Sequence, residues 1–296
     1  MVVIDEVGGI RKGRAARGVL VGAVAAGAVA MGSAPVAGAT CVSAFGLGNT
    51  AECSSTIASV AIALGTGAEA HADGLLGAAF AAGDGAQART ADAFTFAVAG
   101  GTQARAISGG FGGIAIQLGA NGLAAADGPA LNIAVNIADA AALPGPEPEG
   151  AWSEAWGVGN VAVNLFGNAG TSETRTYILA WGTATASINL GGYETQVRPG
   201  LTPGTLNLGF AVSGSNNTVT AGPGPLAIAG SVAQTGATVT KVGPGINING
   251  FVIGGAASEK APAVTARQSK RTGPAAASSA KAAPRSAAAA RSARKK

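Results

Sequence analysis

A short apolar run that ends in glycine recurs through the first half of this chain at nearly constant spacing. The runs SVAIALG, GAAFAAG, FTFAVAG and GIAIQLG end at Gly65, Gly83, Gly100 and Gly119, which are 18, 17 and 19 residues apart. Regular self-similarity of this length is typical of solenoid proteins, in which each unit stacks on its neighbours. The period therefore restricts the fold more strongly than any single motif does.

The apolar runs alternate with a period of two residues, as in Phe94-x-Phe96-x-Val98. This spacing favours β-strands, and the glycines that end the runs favour tight corners. Alanine-rich runs also have helical propensity, but the frequent glycines and β-branched residues make a helix the weaker interpretation. We predict an all-β fold, a β-solenoid or β-roll of short strands with coils of about 17–19 residues. We expect its thin interior to contain Val, Ile, Leu, Phe and Ala.

The composition agrees with a thin core. The chain has 48 glycines in 296 residues, and only 4% of its residues are aromatic and 11% charged, against roughly 25% charged in an average globular domain. One coil would bury few large side chains, which cannot offset the conformational entropy lost on folding. Stability must therefore come from stacking, because each coil then forms hydrogen bonds with the coils on both sides.

From Leu131 onward, asparagine enters the apolar runs. These runs are LNIAVNI (131–137), NVAVNLFG (160–167), ASINLGG (186–192), LNLGFAV (206–212) and GINING (245–250). Asparagines at matching positions of successive coils can bond to one another through their side-chain amides and form ladders along the stack. The alternative is that asparagine is used because it suits turns. The spacing of Asn160 and Asn164 inside an apolar run favours ladders.

Two breaks in composition divide the chain. The segment LPGPEPEG (143–150) is rich in proline and glutamate, and after Gly255 the chain has almost no large apolar residue. A segment with so few large apolar residues cannot bury a core, so we predict that the chain after Gly255 is disordered. We therefore assign residues 1–39 to a signal peptide, 40–142 to the first half of the solenoid, 143–157 to a Pro/Glu loop and linker, 158–255 to an asparagine-rich second half, and 256–296 to a basic disordered tail.

The first 39 residues have the pattern of a secretory signal peptide. Basic residues from Arg11 to Arg17 precede an uncharged apolar stretch, and Ala37-Gly38-Ala39 matches the small residues of signal-peptidase sites. We predict cleavage after Ala39 and a secreted or cell-envelope location. Retention of the apolar segment as a membrane anchor is the alternative, since it is nearly long enough to span a bilayer. A lipoprotein attached through Cys41 has less support, because no large aliphatic residue stands three places before this cysteine.

Cys41 and Cys53 are the two cysteines of the chain, and both follow the predicted cleavage site. In an exported chain a pair twelve positions apart is most simply explained by a disulfide. A metal pair is the alternative, but His71 is the only histidine and carboxylates nearby are sparse. We predict the disulfide and no metal site.

Glycine motifs that match a permissive dinucleotide-binding pattern, G-x-G-x-x-A, begin at Gly65, Gly83 and Gly157. Nucleotide binding requires such a turn to begin a helix, whose amide groups hold the pyrophosphate. Here each motif is followed by another glycine-bounded run. We interpret the motifs as corners of coils and predict no cofactor.

Candidate catalytic residues are few. A Ser-His-Asp arrangement would need His71 as its base, and we expect this histidine to face solvent at a corner. Five carboxylates of the first half could form a column along one edge, which we interpret as a solvated acidic face: Glu69, Asp73, Asp84, Asp92 and Asp127. Three others, in or near the proline-rich loop, could act as a carboxylate pair on a polysaccharide: Glu147, Glu149 and Glu154. A flexible loop holds no catalytic geometry, so we predict that the protein is not an enzyme.

Trp152, Trp156 and Trp181 are the three tryptophans of the chain. We expect them to plug the solenoid where its two halves meet. The functional alternative is an aromatic platform for a sugar or a lipid.

Charge is strongly segregated along the chain. Residues 40–258 contain five basic and twelve acidic residues, whereas residues 259–296 contain ten basic residues and one acidic residue. Spread basic charge without aromatic residues binds polyanions through counterion release. The tail residues that we expect to do so are Lys270, Arg271, Lys281, Arg285, Arg291, Arg294, Lys295 and Lys296. A solubilising tail without a partner is the alternative.

Three parts of the chain carry a resemblance to known proteins: residues 41–74, the run NVAVNLFG and residues 216–255. They resemble a family of uncharacterised exported Ala/Gly-rich proteins from mycobacteria, and the resemblance extends over roughly 41–255. It implies a secreted or envelope location and no assigned activity. More distantly, SVAIALGTGAEA is similar to the head repeats of trimeric autotransporter adhesins, which form β-rolls. The tail is similar in composition to that of the mycobacterial heparin-binding adhesin.

These features together predict an exported, non-enzymatic structural or interaction protein of the cell envelope or surface, with a tail that binds polyanions. The partners expected are envelope polyanions or sulfated glycans, and no small-molecule substrate is expected. The sequence leaves open whether the protein forms a homo-oligomer. The alternatives are a carbohydrate-active β-solenoid enzyme and, if the chain is not exported, an intracellular nucleic-acid binder.

Overall fold

The computed structural model describes residues 40–138, 150–167, 176–199 and 204–254, and every regular element within them is a β-strand. The strands form two sheets that run along a solenoid, and the chain alternates between the sheets at each corner. The predicted all-β solenoid is therefore confirmed. Coils of the first half repeat every 17–19 residues: Cys53 pairs with Ala70, Val60 with Ala78 and Ile114 with Ile133.

The larger sheet, sheet A, has twelve strands. In spatial order they are β1 (Thr40–Ala44), β3 (Val60–Leu64), β5 (Ala78–Ala82), β7 (Phe96–Gly100), β9 (Ile114–Leu118), β11 (Ile133–Ile137), β13 (Val161–Leu165), β15 (Ala186–Leu190), β18 (Leu208–Ser215), β20 (Ala227–Thr235), β22 (Gly245–Ile248) and β23 (Phe251–Ile253).

Sheet B has eleven strands. They are β2 (Cys53–Ser55), β4 (Glu69–Ala72), β6 (Gln87–Thr90), β8 (Arg105–Ser108), β10 (Gly122–Ala130), β12 (Ala151–Val158), β14 (Thr176–Thr183), β16 (Gln196–Pro199), β19 (Thr218–Ala221) and β21 (Thr238–Lys241), with the short β17 (Gly204–Thr205) beside β14.

The interior between the sheets is lined mainly by alanine. In β7, Ala97 and Ala99 point inward and are fully buried, whereas Phe96 and Val98 point outward and are half-buried. The same alternation holds in β5, β9, β11 and β13. The expectation that Val, Ile, Leu and Phe fill the interior is therefore wrong for most coils. They lie mostly on the outside of sheet A.

The short corners explain why the interior is so narrow. β3 ends at Leu64 and β4 begins at Glu69, so only four residues carry the chain from one sheet to the other. This brings the two sheets too close for large side chains on both inner surfaces. Where a larger residue does enter, its neighbour is small: a Cβ added to Gly209 would lie 2.9 Å from the side chain of Val197.

Glycine follows the sheet A strands β3, β5 and β7 and permits these coils to stack closely. Gly65 has a φ of +129°, and a Cβ added there would lie 2.6 Å from the carbonyl oxygen of Gly83 in the next coil. Gly83 has the same relation to Gly101. Both the conformation and the close approach exclude a side chain. After the G-x-G at Gly65 the chain enters β4 rather than a helix, which agrees with its interpretation as a corner.

Buried asparagines link the later coils, as predicted. Asn164 donates a hydrogen bond to the side-chain oxygen of Asn136 at 2.7 Å, and Asn189 donates one to that of Asn164 at 2.8 Å. All three are completely buried. Asn160 is different, because its side-chain oxygen accepts from the backbone of Thr185 in the next coil. Asparagine therefore forms both an amide ladder and a backbone link between coils.

Both ends of the described stack are covered by a strand that runs antiparallel to its neighbour. β1 pairs antiparallel with β3, and β23 pairs antiparallel with β22. Cys41 and Cys53 form the predicted disulfide, with Cα atoms 5.8 Å apart, and so tie β1 to β2. At the other end the buried Lys241 donates to the carbonyl oxygen of Gly254 at 2.8 Å. These contacts protect strand edges that would otherwise pair with other chains.

The sheets continue without a break past the predicted boundary. β10 pairs in parallel with β12, and β11 pairs in parallel with β13. Residues 151–157, which we assigned to the linker, lie in β12. The rest of the Pro/Glu segment up to residue 149 lies outside the described residues, as do the predicted signal peptide and tail.

Candidate binding surfaces

The outer surface of sheet A is apolar across the parallel strands β3 to β22, apart from the C-terminal ends of β18 and β20, which carry the polar residues Ser215, Gln234 and Thr235. We call it the apolar face and define it by the outward residues of the parallel strands: Val60, Ile62, Leu64, Ala78, Phe80, Ala82, Phe96, Val98, Gly100, Ile114, Ile116, Leu118, Ile133, Val135, Ile137, Val161, Val163, Leu165, Ala186, Ile188, Leu190, Leu208, Phe210, Val212, Ile228, Gly230, Val232, Ile246 and Ile248. None of these positions carries a polar or charged side chain.

Neighbouring coils shield these side chains only in part. In a parallel ladder each outward residue lies beside its counterparts in the adjacent coils, as Ile116 does beside Val98 and Val135. Diagonal neighbours also pack together: the ring centroids of Phe80 and Phe96 are 5.8 Å apart. Most of these side chains are half-buried, and Ile62 is buried. Leu118, Leu190 and Val232 are exposed by 38%, 39% and 39% of their surface. The apolar face is thus covered by nothing in the described part of the chain.

A second apolar stripe borders this face at the corner leading into sheet A. Leu76, Phe94, Leu131, Leu206 and Leu226 stand two residues before outward positions of the face. Each is at least half exposed, and each has a φ between 55° and 60°. Bulky residues rarely adopt this conformation, which costs roughly 1–2 kcal/mol per residue. Neither burial nor backbone preference accounts for large apolar residues here.

Aromatic residues gather on the outer surface of sheet B. Trp152 lies beside Tyr177 and Trp156 lies beside Trp181 in the register of β12 and β14, and Glu154 lies beside Leu179 between them. We call these six residues the aromatic patch. The ring centroids are 5.4 Å apart in the Trp152–Tyr177 pair and 5.6 Å apart in the Trp156–Trp181 pair. The tryptophans therefore do not plug the interior, and that prediction is wrong.

The centre of the aromatic patch is polar. Glu154 accepts a hydrogen bond from the hydroxyl group of Tyr177 at 3.2 Å. Burial raises the pKa of Glu154 above its usual value, and the nearby Asp127 raises it further, although the Tyr177 hydrogen bond opposes the shift. Burial and the Glu154 carboxylate also raise the pKa of Tyr177. The tyrosine consequently remains a hydrogen-bond donor, and its hydroxyl group fixes the position of the carboxylate.

His71 lies on the outer surface of β4, not at a corner as predicted. Its Nδ1 is 2.8 Å from the hydroxyl group of Ser54, and its Nε2 is 4.0 Å from a carboxylate oxygen of Glu69. The second distance is too long for a hydrogen bond. Glu69 also lies 3.5 Å from Arg89. A serine, a histidine and a carboxylate thus adjoin, but the histidine is not oriented by the carboxylate as catalysis would require.

The predicted acidic column exists only in part. Asp73, Asp92 and Asp127 line an open groove of about 800 Å³ at the corner between sheets B and A. Asp92 accepts from the backbone of Gly110 at 2.9 Å. Asp84 is elsewhere, since it accepts from the backbone of Thr66 at the opposite corner, and Glu69 lies on β4.

Within the described residues, no three His, Cys, Asp or Glu side chains are arranged to hold a metal ion. The same residues include no helix with the length and hydropathy of a membrane span. Glu147, Glu149 and the tail cations predicted to bind polyanions fall in the undescribed parts of the chain.

The apolar face was not predicted from the sequence. The sequence does contain the pattern that produces this face, because each run alternates alanine with a larger apolar residue, as in Ala97 and Val98. We assigned the larger residues to the interior. The aromatic patch was recognised only as an alternative.

Comparison with protein families, with curated proteins and with solved structures found no match for this chain.

Proposed function

We propose that this chain is an exported, non-enzymatic structural protein that assembles with further copies of itself through the apolar face. The observation that carries the proposal is the extent of this face. Coils spaced about 4.8 Å apart, each with outward residues over about 15–20 Å of strand, give it on the order of 800 Å². The largest apolar patch on a typical soluble monomer is about 300–600 Å².

A second copy suits this surface in both area and chemistry. Stable dimers bury about 800 Å² on each partner, which is close to the size of the face. The face has no charge, so two copies placed face to face bring no like charges together. Two sheets can pack in this way about 10 Å apart, as in a β-sandwich. The exposed leucines of the corner stripe would extend the contact.

The disulfide supports export. Cys41 and Cys53 are paired, and disulfides persist mainly in oxidising compartments outside the cytosol. The signal-peptide pattern of residues 1–39 points to the same location. We place the protein in the cell envelope or outside the cell.

Charge on the apolar face is expected to separate the copies. Val163 and Ile188 are neighbours in the register of β13 and β15, near the middle of the face. Lysine at both positions would bury adjacent like charges in the contact, which costs several kcal/mol. We expect the full chain to sediment as an oligomer and the Val163→Lys/Ile188→Lys variant as a folded monomer, with an unchanged circular dichroism spectrum.

The matched control puts the same pair of charges on sheet B. Thr220 and Thr240 are register neighbours on β19 and β21, and both face outward. The Thr220→Lys/Thr240→Lys variant should sediment like the unmodified chain. A native chain that is monomeric at micromolar concentration, or a sheet A variant that still associates, would refute assembly through this face.

We also propose that the tail binds envelope polyanions, on the basis of its charge. Residues 259–296 have ten basic residues against one acidic residue. Deletion of these residues should abolish retention on a heparin column, and the retention of the full chain should fall steeply with salt. Retention that survives the deletion would show that the tail is not the binding element.

The carbohydrate-active enzyme and the nucleic-acid binder remain the alternatives. Release of reducing ends from a polysaccharide by the purified protein would favour the first. Recovery of the chain from the cytosol with an intact leader would favour the second.

A further inference from the structure

We infer that the aromatic patch of sheet B is a binding site for a neutral glycan, whose sugar rings stack on the tryptophans while their hydroxyl groups bond to Glu154. This inference goes beyond assembly and uses the opposite sheet. All three tryptophans of the chain and one of its two tyrosines belong to the patch. In a chain that is only 4% aromatic, such a concentration on two adjacent strands sets this surface apart.

The geometry provides two aromatic contacts along one line. Trp152 and Trp156 lie four residues apart on β12, so their Cα atoms are separated by about 13 Å. Each has an aromatic partner on β14, Tyr177 and Trp181 respectively. Trp156 is 45% exposed, and the other three rings are half-buried. The patch therefore offers partly exposed, rigid aromatic surface at two places, with a polar group between them.

This combination fits a sugar chain better than a lipid. A pyranose ring has apolar C–H faces and a rim of hydroxyl groups, which matches aromatic rings placed on either side of a hydrogen-bonding carboxylate. An acyl chain has no group that can donate a hydrogen bond to Glu154. The carboxylates of Glu154 and Asp127 lie close enough for Asp127 to influence the Glu154 pKa, and together they disfavour an anionic headgroup or a sulfated glycan. A neutral glycan can donate hydrogen bonds to Glu154 and carries no negative charge for the two carboxylates to repel.

Flat glycans suit an open sheet surface best. β-1,4-linked chains are extended ribbons with equatorial hydroxyl groups, so consecutive rings can lie on the same plane of side chains. α-1,6-linked dextran is flexible and presents no such plane. We therefore expect the patch to bind cello- or chito-oligosaccharides and to discriminate against dextran.

The test uses the full chain, with cellohexaose, chitohexaose, dextran and phosphatidylcholine vesicles as probes. Binding is followed by tryptophan fluorescence and by calorimetry. We expect at least one β-1,4-linked hexasaccharide to bind and the Trp156→Ala variant to weaken that binding about tenfold or more. Glu154→Gln should weaken it by a smaller factor, because the amide retains one acceptor oxygen but loses the charge.

Phe166→Ala is the matched control, since Phe166 is 77% exposed at a corner outside the patch. It should leave the affinity unchanged, and both alanine variants should retain the circular dichroism spectrum of the native chain. The inference is overturned if neither hexasaccharide binds, if dextran binds equally well, or if Trp156→Ala has no effect. It is also overturned if only phosphatidylcholine vesicles bind in a Trp156-dependent manner. Because these readouts do not involve the oligomeric state, failure here is distinct from failure of assembly.

Discussion

Replacement of Asn164 by aspartate should lower the free energy of unfolding by about 3–5 kcal/mol at neutral pH. Asn164 is fully buried and donates to the side-chain oxygen of Asn136 at 2.7 Å and to the carbonyl oxygen of Gly167 at 2.9 Å. Aspartate has nearly the same shape but cannot donate when ionised. It would place a buried negative charge against two oxygen atoms, so the ladder would be broken at its centre.

Denaturant unfolding followed by circular dichroism measures this loss, and pH provides an internal check. A protonated aspartic acid can donate one hydrogen bond, so the loss should shrink at acidic pH. Asn216→Asp is the matched control, since Asn216 lies at an exposed corner. The control should change stability by no more than about 0.5 kcal/mol. Equal stability of the two variants would contradict the ladder.

Replacement of Ala97 by leucine should lower the free energy of unfolding by about 2–4 kcal/mol. Ala97 is fully buried between Ala79 and Ala115 of the adjacent strands. The interior here has room for a methyl group and not for an isobutyl group. The added carbon atoms must push the two sheets apart, and the strain is transmitted to the hydrogen-bonded coils on both sides.

Val98→Leu is the control for this prediction, because Val98 is the next residue along β7 and points outward. We expect it to change the unfolding free energy by less than about 1 kcal/mol. Thermal unfolding of the two variants compares them directly. A larger effect at Val98 than at Ala97 would mean that the large side chains face the interior after all.

The repeat was sufficient to predict the fold class from the sequence. Glycine at Gly65 and Gly83 marks corners, and a period of 17–19 residues accommodates two short strands and two corners. The asparagine ladder was also predictable, since Asn136 and Asn164 occupy equivalent places in their runs. Both inferences depend on spacing, which does not require knowing which face is buried.

The inward and outward faces could not be assigned by periodicity alone. A two-residue period shows that Ala97 and Val98 face opposite ways, but both residues are apolar and neither is excluded from a core. What decides between them is volume: the four-residue corner after Leu64 holds the sheets close enough for alanine only. The tryptophans were misplaced for the same reason. Ala151, Ser153 and Ala155 of β12 take the interior, so Trp152 and Trp156 must face outward.

Thiol labelling of single cysteines tests most directly whether the apolar face is the buried interface of an assembly. The three positions are Ala134 in the interior, Val135 on the apolar face and Thr220 on the outside of sheet B. With a water-soluble maleimide, Thr220→Cys should react fast and Ala134→Cys should not react. Val135→Cys should be protected in the native chain and become reactive when the Val163→Lys/Ile188→Lys pair is added. If Val135→Cys reacts as fast as Thr220→Cys without those lysines, the face is open to solvent and the account is contradicted.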